Sequence, residues 1–166
     1  SGVGAAVPKA APTSRERVLE CPEIKKLWET LWQGPETSFV RRAILLVLVT
    51  GQRPGEVVGI HSRELTIGVG KSRCDECRRC GWWTIPKERS KNGRENRVYL
   101  TPLAMQLIVP LKGCLFPAGR GASGPLLTNT LAHHISKVLK PGYLGLDRWT
   151  PHDLRRTAAT GLAALG

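Results

Sequence analysis

The run Pro151-His152-Asp153-Leu154-Arg155-Arg156-Thr157 opens the last sixteen residues of the chain and decides how the rest is read. Proline suits the first turn of a helix, where its missing N–H would have had no partner, so a helix is expected from Thr150 or Pro151 onward. His152 and Arg155 are three positions apart and fall on one face of that helix, where both can point at a single anion. The helix N-terminus adds unpaired N–H groups and the positive end of its dipole. This is equipment for holding a phosphate diester.

Far upstream, Thr50-Gly51-Gln52-Arg53-Pro54-Gly55-Glu56-Val57-Val58 supplies a second fixed cation. Phe39, Ala43, Ile44, Leu46 and Val47 recur at helical spacing, which predicts a helix over 37–50 closed by Gly51 as its C-cap. Pro54 then begins a short helix through Val58. An earlier helix is expected over 22–32, with Ile24, Leu27, Trp28 and Leu31 on its apolar side and Gln33-Gly34-Pro35 as its stop.

Between the two boxes the periodicity changes. Leu65-Thr66-Ile67, Trp82-Trp83-Thr84-Ile85 and Arg97-Val98-Tyr99-Leu100 read as strands, and Asn92-Gly93 within Lys91-Asn92-Gly93-Arg94 marks a hairpin tip. Adjacent strand positions face opposite ways, so at most one of Trp82 and Trp83 can face outward while the other packs inward. A helix from Thr101-Pro102 to about Leu111, a loop over 113–125 and a helix over 129–139 capped by Thr128 follow. Helices, a small antiparallel sheet, then helices again make a mainly helical α+β domain.

Composition bounds the function. The chain has 166 residues, 41% of them apolar, which suffices for one domain with a real core. The longest apolar run, Ala43 to Val49, is a buried helix or strand segment and falls short of a membrane span. Residues 1–14 read as a flexible leader of small residues and prolines, without the pattern of a secretory signal. A cytoplasmic setting, with no membrane partner, is therefore expected. Net charge is +12. Nine basic residues stand between Lys71 and Arg97 against Asp75, Glu76, Glu88 and Glu95. Such a stripe is the electrostatic footprint of a phosphate-backbone binder, although a merely solvated face has the same composition.

Three of the five cysteines crowd into Cys74-x-x-Cys77-x-x-Cys80. Without a secretion signal, reduced thiols are expected rather than disulfides. Cys74, Cys77 and Cys80 can hold a structural zinc with Cys114, His61 or water as fourth ligand; the alternative is a basic inserted loop at about 70–81 with free thiols. Cys21 and Cys114 read as ordinary thiols.

The chemistry gathers on Arg53, Lys91, His152 and Arg155. Breaking a phosphodiester without a metal needs fixed cations on the non-bridging oxygens, and arginine's planar, permanently charged fork provides them. The departing 5′ oxygen needs a general acid, which a lysine at a hairpin tip can be, and a histidine beside an arginine can handle the nucleophile's proton. Each residue has a structural alternative: Arg53 and Arg155 as members of structural ion pairs, for instance Arg53 with Glu56, Lys91 as a solvated turn residue, His152 as a helix-start residue. Lys87, Arg89, Arg94 and Arg156 read as backbone-steering or surface charges, and His61, His133 and His134 as structural or exposed.

In their order, these boxes resemble the catalytic domain of the tyrosine recombinases of the phage-integrase type. Thr50-Gly51-Gln52-Arg53-Pro54-Gly55-Glu56 is similar to that family's first arginine box. Trp83-Thr84-Ile85-Pro86 followed by Lys91-Asn92-Gly93-Arg94 looks like the lysine hairpin of prophage-type integrases, and His152-Asp153-Leu154-Arg155 is its H-x-x-R box. The resemblance implies site-specific recombination, for integration or excision of a mobile element, through a 3′-phosphotyrosyl intermediate. No cofactor is required, and the partners are duplex DNA attachment sites and other recombinase protomers in a synaptic complex. It assigns Arg53 and Arg155 to the phosphate, Lys91 and His152 to proton transfer, and Glu56 to orienting the first box.

The family's nucleophile follows the H-x-x-R helix, whereas the two tyrosines here, Tyr99 and Tyr143, precede it. Residues 15–166 are thus expected to be a partial catalytic domain, monomeric alone, that binds DNA without cutting it. Two alternatives remain from this reading. One is a regulatory DNA-binding module that keeps the phosphate boxes without a nucleophile. The other is a nucleic-acid-binding module stapled by metal at the cysteine cluster.

Overall fold

In the computed structural model, residues 17–33, 38–68, 80–108, 112–119, 122, 124–137 and 146–166 are described. The fold is built around one helix. The α2 helix, Phe39–Thr50, is apolar nearly all the way round, and every residue from Arg42 to Val47 is buried. A helix of that composition has no solvent face and must be surrounded. It packs against α1 (Cys21–Leu31), α3 (Pro54–Val58), α4 (Pro102–Leu107), α5 (Thr128–Lys137), α6 (Pro151–Ala164) and strand β3 (Asn96–Leu100). The apolar run 43–49 is thereby settled as helix.

Local chemistry sets the ends of these helices. Ser38 caps α2 by accepting from the Arg41 N–H at 3.4 Å. Gly51 closes it in the left-handed region, with φ +63°, and donates to the Val47 carbonyl at 2.9 Å. A side chain there would be strained, and its Cβ would lie 3.4 Å from that of Ala158 on α6. Helix α4 stops at Leu107, short of the expected Leu111. Thr150 caps α6: its hydroxyl accepts from the Asp153 N–H at 3.3 Å, and Asp153 Oδ2 accepts from the Thr150 N–H at 2.8 Å.

Strands β1 (Leu65–Ile67), β2 (Gly81–Ile85) and β3 form an antiparallel sheet in that order, with Trp82 opposite Tyr99 and Trp83 opposite Val98. Trp83, Ile85, Val98 and Leu100 face the core, and the other face presents Trp82, Thr84, Arg97 and Tyr99. The Trp pair therefore splits as alternation requires. On the outer face Trp82 meets Tyr99 edge-on at 5.3 Å, and the Arg97 guanidinium lies 4.8 Å from the Trp82 ring centre.

The β2–β3 connection differs from a tight hairpin. It runs over 86–95 and contains a turn closed by the Gly93 N–H donating to the Ser90 carbonyl at 3.0 Å. Among the described residues no amino acid other than glycine has positive φ, so Asn92-Gly93 is not the two-residue turn that needs both residues left-handed. Gly93, with φ +63°, closes the turn instead, and Lys91 and Asn92 are its central residues.

The segment leading into α1 is tied to α6. The Leu19 N–H donates to Thr157 Oγ1 at 2.9 Å, and that hydroxyl donates in turn to the Asp153 carbonyl at 2.8 Å. Arg17 pairs with Glu23 and donates to the carbonyls of Asp147 and Arg148. No helix among the described residues is long and apolar enough to cross a membrane.

Candidate active site

Three of the four predicted site residues line one open concavity of about 230 Å³: Arg53, Lys91 and His152. They come from the α2–α3 turn, the β2–β3 loop and the first turn of α6, and Arg89 and Thr128 complete much of the wall. The fourth, Arg155, stands one turn along α6 and donates from Nη1 to the Gly51 carbonyl at 2.7 Å. That carbonyl belongs to the turn that leads into Arg53, so the two arginines are fixed to one piece of backbone.

Arg53 is held from both sides. Its Nη1 donates to Glu56 Oε1 at 3.1 Å, and its backbone N–H donates to Glu56 Oε2 at 3.1 Å. Glu56 is buried, so its charge is matched within the protein and not by water. From the other side, Arg53 Nη2 donates to Asn92 Oδ1 at 3.3 Å, which joins the first box to the lysine turn. Gln52 adds a second tie, accepting from Asn96 Nδ2 at 3.0 Å. The ion pair that was Arg53's structural alternative is present, and the guanidinium still lines the concavity. The ion pair does not withdraw Arg53 from the hollow.

Lys91 and His152 are exposed, and both line the same hollow. The Asp153 between His152 and Arg155 is buried; it caps α6 and accepts an ion pair from Arg156 at 3.7 Å. Arg156 thus pairs from the surface with the carboxylate that caps α6.

Arg89 departs from the surface role expected for it. It grips buried Glu64 through two bonds, Nε to Oε1 at 2.9 Å and Nη2 to Oε2 at 2.7 Å. Trp83 Nε1 donates to the same carboxylate at 3.0 Å. No fixed spacing links Arg89 to Glu64 in sequence, so only the fold makes the pair visible. Thr128 was read as a helix cap alone; its Oγ1 lies 3.5 Å from where a Cβ on Gly55 would sit, which brings the start of α5 to the pocket wall.

The remaining candidates lie apart. Tyr99 is on the outer sheet face and does not line the concavity, and Tyr143 lies outside the described residues. Of the cysteine cluster, Cys80 is buried beside the start of β2, while Cys74 and Cys77 lie outside the described residues. No group of three or more His, Cys, Asp or Glu side chains among the described residues is placed to hold a metal. His134 on α5 is half-buried, with Nε2 enclosed and without a hydrogen-bond partner among the described residues.

The sequence profile of the phage integrase family matches residues 17–166. The chain belongs to that family. Its fold is the tyrosine-recombinase catalytic fold, mainly helical with a three-stranded antiparallel sheet. Among solved structures it is similar to the XerH site-specific recombinase bound to difH substrate in a pre-cleavage complex, with TM-score 0.61 and 21% identity over 89% of this chain and 43% of that one. It is also similar to the Tn1549 transposon integrase in complex with circular intermediate DNA, with TM-score 0.63 and 15% identity over 95% of this chain and 56% of that one. The chain thus spans about half the length of the solved proteins it matches. No curated protein matches it by sequence.

Proposed function

We propose that this chain is the phosphate-binding part of a site-specific DNA recombinase. One observation supports this above the others: Arg53, Lys91 and His152, drawn from three separate segments, line one hollow, and Arg155 is tied to the turn that carries Arg53. In the proposed reaction a tyrosine hydroxyl attacks the scissile phosphorus and the P–O5′ bond breaks. Arg53 and Arg155 hold the non-bridging oxygens as negative charge builds there. Lys91 gives a proton to the departing O5′, and His152 takes the proton that the tyrosine loses. The phosphotyrosyl bond keeps the energy of the diester, so a 5′-hydroxyl of a partner strand reverses the step without ATP.

The three cations meet the charge demand without a metal. A zinc at Cys74, Cys77 and Cys80 would be a structural addition, outside the reaction. Family membership and the two DNA-bound relatives support duplex DNA as the substrate and recombining protomers as partners in the whole protein, in a cytoplasmic setting. On this reading the nucleophile is a tyrosine other than Tyr99 and Tyr143, and residues 1–166 alone bind duplex DNA and leave it intact.

The test is strand cleavage by the whole protein on a duplex carrying its attachment site, trapped as a covalent protein–DNA adduct. Adduct that disappears in Arg53→Ala and Arg155→Ala supports the recombinase reading. Tight, salt-sensitive binding with no adduct from the whole protein favours the regulatory DNA-binding module.

A further inference from the structure

The lysine turn is anchored on both flanks. On its C-terminal side, Asn92 accepts from Arg53. On its N-terminal side the anchor is Arg89, two residues before Lys91, which makes two hydrogen bonds to the buried Glu64 carboxylate that Trp83 Nε1 also reaches. The same guanidinium reaches the Glu56 carbonyl at 3.4 and 3.5 Å. It also sits so close to Gly59 that a Cβ there would lie 2.3 Å from Nη1. Arg89 therefore joins three pieces: the 3-10 turn Ser62–Glu64, helix α3 with the Arg53 clamp, and the loop bearing Lys91.

We infer that Arg89 is a positioning residue that sets the reach of Lys91 toward the departing 5′ oxygen. Lysine is a flexible four-carbon stem with large rotamer freedom, so proton transfer at a fixed atom depends on where its backbone is held. Among the described residues, the other bonds shown for the N-terminal half of the loop stay within it. The backbone bonds of Arg89 and Ser90 to the Pro86 carbonyl, at 3.0 and 3.1 Å, shape the loop without attaching it. A bidentate Arg–carboxylate pair gives direction as well as strength, which a point charge does not. This inference rests on the general-acid reading of Lys91.

The test separates positioning from folding by changing the leaving group. A duplex with sulfur in place of the bridging 5′ oxygen releases a thiolate, whose conjugate acid has a pKa of about 8.5 and so needs no proton donor. In the whole protein, Arg89→Lys is expected to cleave the oxygen duplex about 10- to 100-fold more slowly, the cost of a misplaced catalytic group. The sulfur duplex should be cleaved at close to the unmodified protein's rate, as in Lys91→Ala, with DNA affinity unchanged. Gly59→Ala is the second variant, because it displaces the Arg89 head and leaves every charge in place. The same oxygen-only defect is expected from it.

Equal loss on both duplexes in both variants would overturn the inference and leave Arg89 as a fold-holding residue. So would full activity on oxygen. If Lys91→Ala itself is not rescued by sulfur, the general-acid assignment fails and takes this inference with it. Rescue of Lys91→Ala without rescue of the Arg89 and Gly59 variants overturns only the positioning role.

Discussion

Arg53 and Glu56 make two bonds to one another, each 3.1 Å long, one from the guanidinium and one from the arginine's own backbone N–H. The carboxylate thus aims the side chain and caps the helix that follows. Glu56→Gln keeps the shape and removes the charge. Hydrogen bonds to a charged group contribute roughly 1.5–3 kcal/mol, so cleavage by the whole protein should fall by about ten- to a hundredfold. An unchanged rate, measured on the same duplex, would detach Glu56 from the site.

Gly51 is required by its backbone. With φ +63° and Ala158 packed over it, Gly51→Ala should lower stability by roughly 1–2 kcal/mol in a denaturant melt. Because the Gly51 carbonyl also holds Arg155, DNA affinity should drop with it. A variant as stable as the parent would contradict the left-handed cap.

The stability of this domain should weaken in mild acid. Burial, then the charges of Arg41 and His133, hold the pKa of His134 below the ordinary histidine value. The unfolded chain takes up a proton near pH 6.5 that the folded chain refuses, so this contribution is present in full above about 6.5 and shrinks as pH falls below it. Melting temperatures at neutral pH and at pH 5.5 should show a larger loss for the parent than for His134→Phe. Parallel losses in the two proteins would clear His134 of any part.

Chelation separates the metal-stapled alternative. DNA retention and melting temperature should be unchanged after exhaustive treatment with a zinc chelator, because the site cations are arginine and lysine. Loss of either property would place a structural ion at Cys74, Cys77 and Cys80.

Much of the architecture was legible because its signals are local. The Gly51 stop, the Pro54 and Pro151 starts and the alternation across Trp82 and Trp83 each arise from a few neighbouring residues. The convergence of Arg53, Lys91 and His152 was legible only through the order of three boxes, since spacing along a chain does not give distance across a fold. Arg89 was misjudged for that reason: its partner, Glu64, is twenty-five positions away on another element. The lysine turn was placed correctly but its form was not, because Asn-Gly serves longer connections as well as tight hairpins.

The contact between the Leu19 N–H and Thr157 Oγ1 spans 138 positions, and the one between Arg155 and Gly51 spans 104. Contacts of such sequence separation close large loops, which costs conformational entropy and slows folding. Helix α6 is therefore held by two contacts that each close a long loop. Without α6 the hollow would lack His152, and the Gly51 carbonyl would lose its tie to Arg155.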